Sequence, residues 1–297
     1  MSSAATSPIV RVIEPKIKDL GEFSVRRALP VAGTRSIGPW VFFDHFGPAT
    51  MGPGHGMNVR PHPHIGLATV TYLFEGTIWH RDSLGSDLDI HPGAVNLMVA
   101  GSGIVHSERT RPEHLDGTFD IHGLQLWHAL PENEEERDAS FHHYPADDIP
   151  EASLSGGGTA RVMMGEAFGV TSPVRTFSEI LYYEVDLPEG ASVALPATAE
   201  HGLYVAQGRV EIADHVAETF TMNVLASGAQ TVTAHAGPAR FAVVGGAPLG
   251  ERHIRWNFVS SSVERIQQAA EQWRAGEFPT VPGDETEYIP LPKEMIF

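Results

Sequence analysis

The chain has 297 residues, enough for one large domain or two of ordinary size, and its 20 Lys+Arg against 37 Asp+Glu give a formal charge of −17. So acidic a chain argues against direct contact with nucleic acid, whose binding rests on neutralising phosphates, and against a negatively charged membrane. Cysteine is absent, which excludes disulfides, iron–sulfur clusters and thiolate zinc sites.

The start, MSSAATSPIVRVIEPK, has no cationic segment followed by an apolar one, so it does not read as a secretion signal. No apolar run approaches the roughly 20 residues that span a bilayer. A soluble, cytoplasmic protein is the expectation. From there to about residue 250 the chain reads as short strands separated by Gly and Pro, without long amphipathic helical patterns. LATVTYLFEGTIWHRDS alternates around Gly76 as a hairpin or strand pair would. AVNLMVAGSGIVHSE, DIHGLQLWHALP, ILYYEVDLPEGASVAL, GLYVAQGRVEI and RFAVVGGAPL continue in the same style. Such a series predicts an all-β barrel or sandwich. The acidic run Glu132–Asp138 reads as a solvated turn or short helix, and PADDIPEASLSGGG (145–158) as a linker. VERIQQAAEQWRAGEF (263–278) predicts a helix with Ser262 as its N-cap and Gly276 as its stop. The remainder, PTVPGDETEYIPLPKEMIF, predicts an extended tail lying on a neighbouring surface.

A faint internal repeat accompanies these elements. YLFEGTIWH (72–80) and YVAQGRVEI (204–212) each set a Gly between apolar strands. The first follows His62-Pro-His64, the second only His201. One equipped barrel and one stripped copy fit that pattern. The expected boundaries are 1–145 for the first barrel, 146–250 for the second and 251–297 for the helix and tail.

Of 16 histidines, 12 fall between His45 and His143. In a strand, residues i and i+2 face the same way, roughly 6.6 Å apart along the strand, and two imidazoles so placed can share one ion at about 2.0–2.2 Å. His62 and His64 meet this condition. So do His106 and Glu108, in GSGIVHSE, 42 residues after His64. Each pair alone is ordinary polar decoration of a strand. Both together, on strands that lie side by side in a barrel, supply three nitrogens and a carboxylate. That set suits Fe(II), Mn, Ni, Cu(II) or Zn, and on an octahedral ion it leaves two positions open. His80, His91, His122 and His128 read as groups around the site or on the surface. Tyr72 and Phe74 share parity with His64 and would face inward if no bulge intervened, although ordinary core packing explains them as well. Ser107 beside His106 is no nucleophile–base pair, because adjacent strand residues point to opposite faces.

HPHIGLATVTYLFEGTIWHRDSLG followed by HPGAVNLMVAGSGIVHSE strongly resembles the pirin family of iron-binding bicupins, and the similarity continues through GLQLWHALP and GGAPLGE. The resemblance covers most of residues 20–260. It implies two antiparallel β-barrels, a metal held in the first by His62, His64, His106 and Glu108, and a second barrel without metal. Ala68 departs from a pattern in which many pirins carry a Glu four residues after the second His. The departure puts in doubt any acid–base role of a second carboxylate, but not metal binding. The implied activity is that of a quercetin 2,3-dioxygenase acting on a flavonol and O2, with Glu108 accepting the substrate's proton. The alternatives are a redox-sensitive regulator working through a protein partner and a structural zinc protein. The resemblance also implies a monomer.

Overall fold

The computed structural model describes residues 7–21, 23–228, 230–293 and 295. The chain divides into two compact units. One is built from Arg26–Trp40 and Asp147–Pro248 with the described residues up to Lys16; the other from the described part of Ile17–Val25, Val41–Ala146 and the chain from Leu249 onward. Each unit pairs a large sheet with a four-stranded one, the cupin arrangement of two antiparallel β-barrels in one chain.

In the Val41–Ala146 unit, five strands of the larger sheet run in the order Ser140–Tyr144, Val95–Val99, Leu67–Glu75, Phe119–Ala129 and Trp40–Met51. The smaller sheet runs Asn58–His64, Ile104–Arg109, Ile78–Asp82, Asp87–Ile90. The other unit has a seven-stranded sheet in the order Ile9–Ile13, Met222–Leu225, Glu200–Gln207, Ala239–Gly246, Ile180–Leu187, Thr159–Met164, Glu151–Ser153. Its small sheet runs Ser192–Ala194, Thr231–Ala234, Val210–Ile212, His215–Ala217.

The repeat is real, but its details differ from the expectation. Leu67–Glu75 and Ile78–Asp82 are not a hairpin: they belong to different sheets, and the chain turns a barrel corner at Gly76. Glu200–Gln207 and Val210–Ile212 turn the same corner at Gly208. Both glycines have positive φ, 89° and 71°, and a Cβ there would sit 2.5 Å from Asp120 O and 2.2 Å from Pro238 O. No side chain fits so close to backbone. His201, in turn, is not the residue left over from the His-Pro-His motif. The small-sheet strand that precedes the corner in the second copy is Ser192–Ala194, and it cross-pairs Val193 with Val232. In the first copy the matching pair of strands sets His62 opposite His106. Val193 and Val232 belong to an all-apolar core with Leu181, Tyr183, Phe241 and Val243.

Residues 145–158 split between a short 3-10 turn, Ala146–Asp148, and the strand Glu151–Ser153, whose hairpin turns through the three glycines 156–158. The acidic run forms a 3-10 turn at Glu132–Glu134, but Glu135 is 4% exposed and structural. Its carboxylate accepts from Ser260 Oγ, Ser261 N and Oγ, and Arg252 Nε at 2.8–3.0 Å. The one α-helix among the described residues is Val263–Ala275; Ser262 Oγ accepts from Arg265 N, and Gly276 closes the helix at φ 71°. Ile266, Ala269 and Ala270 are its buried face, packed with Ile65 and Phe258. No described helix is long and apolar enough to cross a membrane.

Candidate metal centre

The sequence Arg60-Pro61-His62-Pro63-His64 determines where its strand can lie. Neither proline can donate to a ladder, so such a strand belongs at a sheet edge. It is the edge strand here, paired only with Ile104–Arg109 within its sheet. The register sets His62 opposite His106 and His64 opposite Ile104, then slips so that Glu108 stands opposite Val59. The alternation brings the three imidazoles to one face. Their ring centroids lie 4.4–5.1 Å apart, and one nitrogen from each lies within 4.8 Å of the others.

The hydrogen bonding of the three rings fits a cation. His62 Nδ1 is 2.9 Å from Arg60 O and His64 Nδ1 is 3.1 Å from Asn257 O. A ring nitrogen facing a carbonyl must carry the proton, which leaves each Nε2 with a bare lone pair. His64 Nε2 faces His106 Nε2 at 3.1 Å, while His106 Nδ1 is buried without a partner. All three rings are at most 6% exposed. Burial pushes His62 down to about 4, and burial with the neighbouring histidines takes His64 and His106 well below the usual imidazole range. At neutral pH the cluster therefore offers uncharged nitrogens crowded around one point, the state a divalent ion requires of its ligands.

Glu108 is buried as well but stands outside the 4.8 Å group formed by the three histidines. Burial raises its pKa, against the pull of His80 and of Thr71. Thr71 Oγ1 lies 3.5 Å from Glu108 Oε1 and 2.8 Å from Gln125 Oε1, and its single proton serves the shorter contact.

Among the neighbours, the sequence places His80 around the site or on the surface and does not single out Trp127. His80 is buried with its ring 5.3 Å from that of His106, stacked on Phe141, and its Nε2 is 3.0 Å from Asp82 Oδ2. The signal was present, since His80-x-Asp82 repeats the i, i+2 spacing of His62-x-His64 and His106-x-Glu108. Trp127 sets its edge against His64 at 4.9 Å and stacks on Phe42 at 3.9 Å. Of the other histidines, His91 is exposed, His122 meets His45 at 2.8 Å, and His128 is buried with Nδ1 3.3 Å from Ala129 O.

Tyr72 and Phe74 do not join the centre. They contact each other, and Phe74 contacts His122. Thr71 reaches Glu108 instead, because parity is lost at Gly66, between the strands ending at His64 and starting at Leu67. Gly66 has φ 66°, and a Cβ there would fall 1.9 Å from Val259 O. Ala68, by the same alternation, lies on the strand face opposite to Thr71, so a carboxylate there would point away from the histidines.

Comparison with known proteins agrees with this architecture. Residues 22–128 match the family profile Pirin, and residues 182–279 match the Pirin C-terminal cupin domain. A pirin-like protein of Caulobacter vibrioides is 46% identical over 288 residues, spanning 95% of this chain and 99% of that one. Human pirin is 32% identical, spanning 84% and 86%. The crystal structure of quercetin 2,3-dioxygenase from Acinetobacter baumannii matches with a TM-score of 0.88 at 33% identity, covering 96% of this chain and 95% of that one. Two cupin barrels, a buried histidine triad in one of them and similarity along nearly the whole length lead to one conclusion: the chain belongs to the pirin family.

Proposed function

We propose that the chain is a metal-dependent dioxygenase of the quercetin 2,3-dioxygenase type, opening a flavonol ring with O2. The observation that carries this reading is the buried triad His62, His64 and His106, held neutral, with the proton-seeking carboxylate of Glu108 two residues along the same strand. In this reading the three imidazoles hold the ion and Glu108 completes the set. A donor set of nitrogen and carboxylate without thiolate suits Fe(II), with Mn, Ni, Cu and Zn as the alternatives that elemental analysis separates. Bound there, the ion would supply Lewis-acid chemistry and a template for substrate oxygen and O2.

The remaining work falls to side chains. Glu108 accepts the proton of the flavonol 3-hydroxyl, and its burial makes it a stronger base than an exposed carboxylate. Trp127, Phe42 and Phe141 give the surroundings of the triad apolar walls that keep water out. Thr71 sets its hydroxyl beside Glu108, and Gln125 accepts that hydroxyl's hydrogen bond. In the overall reaction the two atoms of one O2 end at C2 and C4, the C2–C3 and C3–C4 bonds break, and C3 leaves as carbon monoxide.

The test is incubation of metal-loaded protein with quercetin in air, following loss of the flavonol absorbance and release of carbon monoxide. His106→Ala is expected to abolish metal loading and turnover together. Turnover that survives without bound metal, or full loading with no consumption of several flavonols, refutes the reading. The second result, together with specific capture of a protein partner, would favour the regulatory alternative.

A further inference from the structure

The four-stranded sheet that carries the triad has an outward face, and residues 283–289 are laid across it. Residues 279–293 contain neither strand nor helix, yet they are firmly tied down. Ile289 N donates to Pro61 O at 2.8 Å, one residue from His62. Asp284, 7% exposed, is the central fastening. Its Oδ2 accepts from Arg81 Nη2 at 2.7 Å and from Arg109 Nε at 2.8 Å; its Oδ1 accepts from Arg109 Nη2 at 2.9 Å. Arg81 Nη1 also donates to Gly283 O at 2.6 Å, and Arg109 Nη2 to Glu287 Oε1 at 2.8 Å.

The positions of the two arginines give this contact its meaning. Arg81 stands between His80 and Asp82, and Arg109 follows Glu108. In the ladder Glu108 is opposite His80 and Ser107 opposite Arg81. One carboxylate therefore bridges the strands Ile78–Asp82 and Ile104–Arg109 from outside, at the level where their inner faces present His80, His106 and Glu108. A forked carboxylate–guanidinium contact fixes angle as well as distance. Without it, buried Arg81 would lose its carboxylate partner and keep the Gly283 carbonyl, and half-buried Arg109 would keep Glu287 alone as an acid; a buried charge that loses its partner is a strong force for local rearrangement.

We propose that Asp284 is a positioning residue for the metal centre: by clamping these two strands from behind, it keeps His106 in coordination reach of His62 and His64 and holds Glu108 beside them. The inference rests on the metal reading given above. Asp284 is not itself one of the proposed ligands; it acts through the strands that carry Arg81 and Arg109. Partners outside the ligand set commonly govern metal affinity by 10–100-fold.

The test uses the full chain loaded with Co(II), comparing wild type with Asp284→Asn, which keeps the shape and loses the charge, and Arg109→Lys, which keeps the charge and loses the fork. Three readouts are taken: the rate of Co(II) loss to excess EDTA, the visible Co(II) absorption band and the thermal midpoint. Both variants are expected to release Co(II) about tenfold faster or more, with a shifted band. Leu203→Ala, in the core of the other unit, provides the control: it is expected to lower the thermal midpoint and leave release and band unchanged. If Asp284→Asn does not fold, Arg109→Lys decides. Wild-type release and a wild-type band in the variants, or equal changes in Leu203→Ala, overturn the positioning role and leave the metal reading standing. A wild type that takes up no Co(II), or a His106→Ala variant that takes it up equally, overturns the metal reading instead.

Discussion

Glu184→Gln should stabilise the protein, and by an amount that depends on pH. Glu184 lies on the strand Ile180–Leu187, is 5% exposed, and accepts a hydrogen bond from Tyr182 Oη at 2.9 Å. Burial pushes its carboxyl up to about 8 from the usual 4.5, with Tyr182, Arg240 and Arg161 pulling the other way. The folded protein therefore holds this proton at neutral pH while the unfolded chain has lost it. A raised acid loses stability as pH climbs, by at most about 1.4 kcal/mol per unit between the two values. Below pH 4.5 both states are protonated and there is no penalty; above about 8 it reaches its limit. At pH 7.5, three units above the unfolded value, it comes to about 4 kcal/mol; at pH 5 it is below about 1 kcal/mol. Glutamine has nearly the same shape, accepts the Tyr182 hydrogen bond through its carbonyl and does not ionise. Urea denaturation of both proteins at pH 5 and 7.5 measures the difference through the midpoints at unchanged slope. A gain equal at the two pH values, or a glutamine variant less stable at pH 7.5, would refute the reasoning.

Two further outcomes follow from buried polar groups. Tyr183 Oη is buried in the apolar core of the same unit without a hydrogen-bond partner, and an unsatisfied buried hydroxyl costs about 1–3 kcal/mol. Tyr183→Phe is therefore expected to raise the thermal midpoint, and a clear drop would mean that the hydroxyl is satisfied after all. Glu135→Ala should have the opposite effect, since it leaves Arg252, Ser260 and Ser261 without their shared acceptor. A loss of about 3–5 kcal/mol is expected for breaking a buried pair; hydrogen exchange should show it first near the start of the helix Val263–Ala275, and a loss below 1 kcal/mol would show the hub to be dispensable.

What the sequence made legible, and what it hid, divides by distance along the chain. The histidines of the triad were readable because two-residue spacing on a strand is a local property, and Pro61 and Pro63 beside them restrict that strand to a sheet edge. The helix was readable for the same reason, from Ser262 at one end to Gly276 at the other. Parity failed at Gly66, where one left-handed residue moved the inward face from Tyr72 to Thr71. Long-range pairing failed at the Gly76 corner, because periodicity identifies strands and not the sheet each one joins. His80 was within reach of the spacing rule, paired with Asp82, but nothing local distinguishes a histidine inside a barrel from one on its rim.

The partners that complete the centre come from further away. The carbonyl that orients His64 belongs to Asn257, 193 residues on, and the carboxylate behind Arg81 to Asp284, 203 residues on. Neither has a spacing to detect: the first is a backbone atom, and the second is one acid among 37 Asp and Glu. The same division separates the two barrels. Both turn corresponding corners at Gly76 and Gly208 because the corner is a backbone requirement, which leaves its mark in sequence. What sits inside each barrel is free to differ, and His62 opposite His106 in one becomes Val193 opposite Val232 in the other. The fold therefore repeats where geometry compels it, while the capacity for chemistry rests on a few inward positions that the fold leaves open.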